Sequence, residues 1–126
     1  MSSVARMEVP NRMRSVNVRM LIDTMPIVST IDYDISESGV FPVGIWVKTK
    51  KSESTLDREL RSSGKAVSLL LQYGCSLKEI SETFTRDSII GSVVWYLNKN
   101  LDDILSGNQP EKYPNLSTQP QGYTIK

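Results

Sequence analysis

A chain of 126 residues with 39% hydrophobic content is the size of one domain, with room for a single modest core and too little for separate catalytic and cofactor units. Its 15 basic and 14 acidic residues nearly cancel to +1, so no global field draws in nucleic acid or an anionic membrane, and a charged partner must meet a local patch. The absence of histidine and the single cysteine, Cys75, remove the commonest metal ligand and general base, and with them zinc-finger, catalytic-triad and internal-disulfide readings.

Residues 1–13 read as a basic arm, since Arg6 and Arg12, continued by Arg14 and Arg19, stand against one acid, Glu8. Such an excess suits phosphate, yet the segment has no aromatic residue to stack single-stranded bases. A solvated arm, or one paired with another subunit's acids, is expected, and nucleic acid is not the expected partner. The opening MSSVARMEVPNRMR lacks an apolar signal region and no apolar run approaches the length of a membrane span, so a cytoplasmic protein with no membrane partner is expected.

From Ser15 to Asp23, Val16, Val18, Met20 and Ile22 alternate with Ser15, Asn17, Arg19 and Asp23, broken only by Leu21, the period of a strand with one buried face. Ile27, Ser29, Ile31 and Tyr33 alternate again after Met25-Pro26, and SESG supplies a turn. In VFPVGIWVKT, Val43, Ile45 and Val47 share one side while Trp46 and Lys48 share the other, and Pro42 and Gly44 predict an edge strand or a bulge.

The period then changes. Leu56, Leu60, Val67, Leu70 and Leu71 fall at helical spacing over Leu56 to Tyr73, with Ser54 or Thr55 as N-cap and Asp57 and Glu59 in the first turn. Gly64 interrupts this helix and predicts close packing there. Gly74 is placed to end it in a left-handed conformation, and Ser76 with Glu79 has the spacing of a capping box for a short helix, Leu77 to Phe84. A longer amphipathic helix is predicted from Ile89 to Leu105. Residues 106–126, with three prolines among polar side chains, predict an extended or disordered tail, ordered only where a partner surface holds it. The expected fold is therefore α+β: a small antiparallel sheet of three or four strands, then two main helices and one short helix packed on one face, all within residues 14–105.

Four stretches, PNR (Pro10 to Arg12), KSEST (Lys51 to Thr55), AVSLLLQYG (Ala66 to Gly74) and TRDSIIG (Thr85 to Gly91), resemble the TSCPD-domain family over roughly residues 8–105. That family occurs as a C-terminal module of some adenosylcobalamin-dependent ribonucleotide reductases and as short stand-alone proteins of bacteria and phages. The string that names it is absent here, and Thr85, Arg86 and Asp87 stand near its place. Reductase chemistry needs a radical cysteine and a redox pair, which one thiol cannot supply. The resemblance implies an accessory or binding module near nucleotide metabolism, or a phage sponge for nucleotide signals, with no catalytic residue, metal or cofactor.

The candidate ligand-binding residues are Arg86, Asp87, Gln72, Ser54 and Arg12. Arg86 and Asp87 precede the last helix, where a guanidinium and open backbone donors would seat a phosphate. The structural alternative is that Asp87 or Ser88 caps the helix while Arg86 pairs internally. Gln72 suits either a base or amide in a groove or a loop backbone group near Gly74. Ser54 and Arg12 lie in the matching stretches KSEST and PNR. Trp95 and Tyr96 are adjacent and cannot both face one core, so one of them is expected at a subunit interface. Two functions follow. One is a non-catalytic binding module for a nucleotide or other phosphate-bearing ligand. The other is a structural protein of a homo-oligomer or a larger assembly, with a protein partner engaged through the tail.

Overall fold

The alternating residues of the first half form three strands, β1 (Arg14–Ile22), β2 (Met25–Ser36) and β3 (Gly39–Thr49). The computed structural model describes residues 5–6, 13–37, 39–50, 54–108 and 114–118. β1 and β2 pair antiparallel from Arg14 opposite Tyr33 to Ile22 opposite Met25, joined by a two-residue turn in which Asp23 and Thr24 both have positive φ, 49° and 68°. Two left-handed residues match the twist of a hairpin, although neither is the glycine that adopts this conformation without strain. β2 and β3 are also antiparallel, with an irregularity between Asp32 and Tyr33 where Val43 is the extra residue on the β3 side. Pro42 and Gly44 flank that bulge, and β3 is also the outermost strand, so both readings of this segment hold.

The helices are α1 (Thr55–Gln72), α2 (Leu77–Thr83), α3 (Ile89–Lys99) and α4 (Leu101–Leu105). Past Gln72 the Gly74 amide donates to the Leu71 carbonyl and the Cys75 amide to the Leu70 carbonyl, with Gly74 at φ +99°. This is the double bond of a Schellman stop, and Ser76 and Glu79 then form the reciprocal capping box of α2. The single helix expected over Ile89 to Leu105 is instead two. Asn100 donates both its backbone N–H and its side-chain Nδ2 to the Tyr96 carbonyl, at 3.1 and 3.0 Å, so the side chain competes for the helical acceptor and α3 ends there.

The tail differs more. Asn115–Leu116 forms a short strand, β4, parallel to β1 beside Leu21 and Ile22, so the sheet is mixed, in the order β3-β2-β1-β4. The Leu21 amide donates to Pro114 O (2.7 Å) and the Asp23 amide to Leu116 O (2.8 Å). The surface that orders residues 114–118 is therefore the chain's own β1, and the α+β unit extends past Leu105.

Val18, Met20, Ile31, Ile45 and Val47 from the sheet meet Leu60, Val67, Leu71, Ile80, Val94 and Leu97 from the helices, all buried. Phe84 and Leu101 pack half-buried at the margin of this core. The helices lie on one side of the sheet.

α1 also closes the outer edge of β3. Ser68 Oγ accepts from Ile45 N (2.9 Å) and donates to Ile45 O (3.0 Å), Gln72 Nε2 donates to Val43 O (3.0 Å), and Asp57 Oδ1 accepts from Thr49 N (2.9 Å). Between them sits Gly64, where an added Cβ would stand 3.0 Å from Ile45 O. Positions 57, 64, 68 and 72 share a face at helical spacing, so one stripe of α1 replaces the missing neighbour strand.

Candidate functional site

The residues expected to bind ligand are not gathered in one place. Ser54 is the N-cap of α1 and accepts from the Asp57 amide (3.1 Å), whereas Gln72 lies at the far end of the same helix, where it also accepts from Arg6 Nε (2.6 Å). Arg12 lies outside the described residues. Asp87 is exposed, and Ser88 rather than Asp87 caps α3.

Arg86 turns inward. Its Nη1 donates to Ser92 Oγ (2.6 Å) and to the Ser117 carbonyl (2.8 Å), and the guanidinium lies 4.4 Å from the centre of the Trp95 ring. Burial lowers its pKa, and the Asp23 carboxylate acts in the opposite direction. At the same helix entry Ser88 Oγ accepts from the Gly91 amide, and the Thr85 carbonyl presses so close that a Cβ at Gly91 would fall 1.7 Å from it. This entry is organised by the protein's own groups. Asp23 accepts from both the amide and the hydroxyl of Thr118, and these bonds hold its carboxyl below the usual aspartate range. Arg86 and Asp23 thus fasten residues 114–118 from two sides. Tyr96 is buried, while its neighbour Trp95 is half-buried with Lys99 4.9 Å from its ring, so the two do part company between core and surface.

The opposite face of the sheet has a different character. The register sets Arg19, Val28 and Lys48 in one row, Asn17, Thr30 and Trp46 in the next, and Ser15, Asp32 and Gly44 in a third. Thr30 donates to Asn17 Oδ1 (2.7 Å), and Asp32 accepts from the Ser15 hydroxyl and from Trp46 Nε1 (2.7 Å). Among the described residues no helix covers these rows. Trp46 is 40% exposed and lines a groove of about 350 Å³ with Val28, Thr30, Lys48, and Arg61 and Lys65 of α1. That volume lies in the range of small-molecule sites. A second groove, sharing Val28, Lys48 and Arg61, continues to Arg19, Pro26 and Lys50.

Charge distinguishes this surface. Among the described residues neither groove is lined by a carboxylate, whereas Arg19, Lys48, Lys50, Arg61 and Lys65 all contribute cations. Arg61 is held at the rim by the fully buried Asp57, Nε to Oδ2 at 3.0 Å, which fixes its position and offsets its charge. The other cations of the lining are Arg19, Lys48, Lys50 and Lys65. The sequence carries two signals for this site: Trp46 and Lys48 stand two apart on one strand face with Lys50 just past the strand end, and Arg61 and Lys65 are four apart on one helix. Only Trp46 and Lys48 were placed on a common side by the sequence reading.

Among the described residues no group of three or more His, Cys, Asp or Glu is placed to hold a metal, and no helix is long and apolar enough to cross a membrane. No protein-family model matches the chain, and no curated protein or solved structure matches it.

Proposed function

We propose that the protein is a non-catalytic binding module for a nucleotide or other phosphate-bearing ligand, and that the ligand lies on the uncovered sheet face. The observation that carries this reading is a continuous groove with five cationic side chains and, among the described residues, no lining carboxylate, floored by Val28, Thr30 and Trp46. Guanidinium and ammonium groups converging on one concave surface suit the spread charge of phosphate. The resemblance to TSCPD domains supports the same class, an accessory to nucleotide metabolism or a bacterial or phage sponge working in the cytoplasm. The test is calorimetry with pyrophosphate at low salt. Saturable binding is expected, weakening as salt rises, and the double variant Lys48→Glu, Lys65→Glu should lower affinity by at least tenfold to a hundredfold, since each charge-assisted contact is worth about 1.5–3 kcal/mol. Binding that the charge reversal leaves intact, or no binding at all, contradicts the reading.

A second reading, self-assembly, is favoured by one feature. Ile35 and Val40 stand opposite each other, exposed, beside the β2–β3 turn, and exposed Phe41 flanks an apolar groove of about 450 Å³ with Leu71, Cys75, Leu77 and Leu101. A second copy covering this end would make a homo-oligomer whose disruption by Phe41→Asp is read by light scattering. A monomer at high micromolar concentration removes it.

A further inference from the structure

The anion-binding reading leaves open what the phosphate is attached to, and Trp46 bears on that question. Gly44, two residues earlier on the same face, has no side chain, and a Cβ there would lie 3.1 Å from Trp46 Nε1 and 3.5 Å from Cε2. The indole therefore lies down over the glycine instead of standing off the sheet. Its Nε1 is tied to Asp32 Oδ2 at 2.7 Å, and Asp32 is itself held by the Ser15 hydroxyl. Two restraints on one ring fix its tilt and rotation, so little rotamer freedom remains to be lost when something stacks on it. The ring remains 40% exposed and forms part of the groove wall.

We propose, on the basis of that anion-site reading, that Trp46 is a stacking platform for the base of a single nucleotide, whose phosphates lie along Lys48, Lys65 and Arg61. The dimensions agree. Trp46 and Lys48 are two residues apart on one strand face, about 7 Å, the order of the distance from a nucleobase to its first phosphates, and Lys50, just past the end of β3, lines the continuing groove where a longer phosphate chain would run. A single ring in the groove favours one base over a strand of them, because proteins that hold single-stranded nucleic acid stack successive bases on several aromatic side chains. The groove wall has no second aromatic residue among those described. Stacking tolerates any base, and the phosphates supply the salt-sensitive share of affinity.

The experiment compares ATP with tripolyphosphate by calorimetry on the intact chain, alongside Trp46→Leu and Trp46→Phe, each checked for fold by circular dichroism. The wild-type protein is expected to bind ATP at least tenfold more tightly than tripolyphosphate. Trp46→Leu should bring ATP down to the tripolyphosphate level without altering tripolyphosphate itself, and Trp46→Phe should keep most of the difference. The adenine H2 and H8 resonances should move upfield on binding to the wild-type protein, a ring-current effect that needs no variant. Equal affinity of the wild-type protein for ATP and tripolyphosphate, or unmoved adenine resonances, overturns the stacking proposal while leaving the anion site standing. If neither compound binds, the anion site itself is refuted and the stacking proposal with it.

Discussion

Arg86 shows how one residue type supports two opposite roles. A guanidinium before a helix suits a phosphate, but here it is spent on Ser92, the Ser117 carbonyl and the Trp95 ring. Arg86→Ala should therefore destabilise the fold by about 1–3 kcal/mol, from lost charge-assisted hydrogen bonding and the cation–π contact, and should expose the Leu21 and Asp23 amides to faster hydrogen exchange. Pyrophosphate affinity should not change. Unchanged exchange at those two amides would mean that Arg86 does not hold residues 114–118. Asp23, on the other side, gives the anchoring of that segment a pH dependence. Its folded pKa is depressed by the Thr118 hydroxyl and amide, so its contribution is present above the unfolded aspartate pKa and is lost as pH falls through the folded value. The Thr118 amide resonance should titrate with a midpoint below the ordinary aspartate range, and a midpoint within that range would contradict the bond. The sequence reading included the internal role of Arg86 as an alternative, but its partner Ser117 lies 31 residues away on a segment with no period to announce it.

At the scale of elements, α1 both covers the core and closes the edge of β3. Gly64→Ala puts a methyl 3.0 Å from Ile45 O and 3.4 Å from Trp46 Cα and Val47 N, all backbone atoms of a paired strand that cannot turn aside. The expected loss is about 1–3 kcal/mol in urea denaturation, even though alanine favours a helix by about 1 kcal/mol. Ser68→Ala should cost a similar amount, about 1–3 kcal/mol, by stranding both polar groups of Ile45. A neutral result for both would place α1 away from the strand. Helix α1 was legible from its leucines, its N-cap from Ser54, its stop from Gly74, and a close approach from Gly64. What the approach was against could not be read, because the partners of Asp57, Ser68 and Gln72 lie on β3, at sequence separations of 8, 23 and 29 residues. β4 is only two residues long, too short for any alternation, and it entered the sequence reading as tail.

The described residues form a sheet with helices on one side and, among them, nothing but basic groove-lining side chains and strand residues on the other. Strand periodicity was enough to put Trp46 and Lys48 away from Ile45 and Val47, but whether a helix also covers that second face is a matter of tertiary packing. Arg61 and Lys65 reach the groove only because Gly64 seats α1 against β3, so the site could not be assembled before the fold was. The central claim is that phosphate binds this face and not the entry of α3. Amide and indole resonances followed during a pyrophosphate titration at low salt test it most directly. Saturable shifts centred on Val28, Trp46, Lys48, Arg61 and Lys65 are predicted, and shifts centred on Ser88 to Gly91, or none, would contradict it.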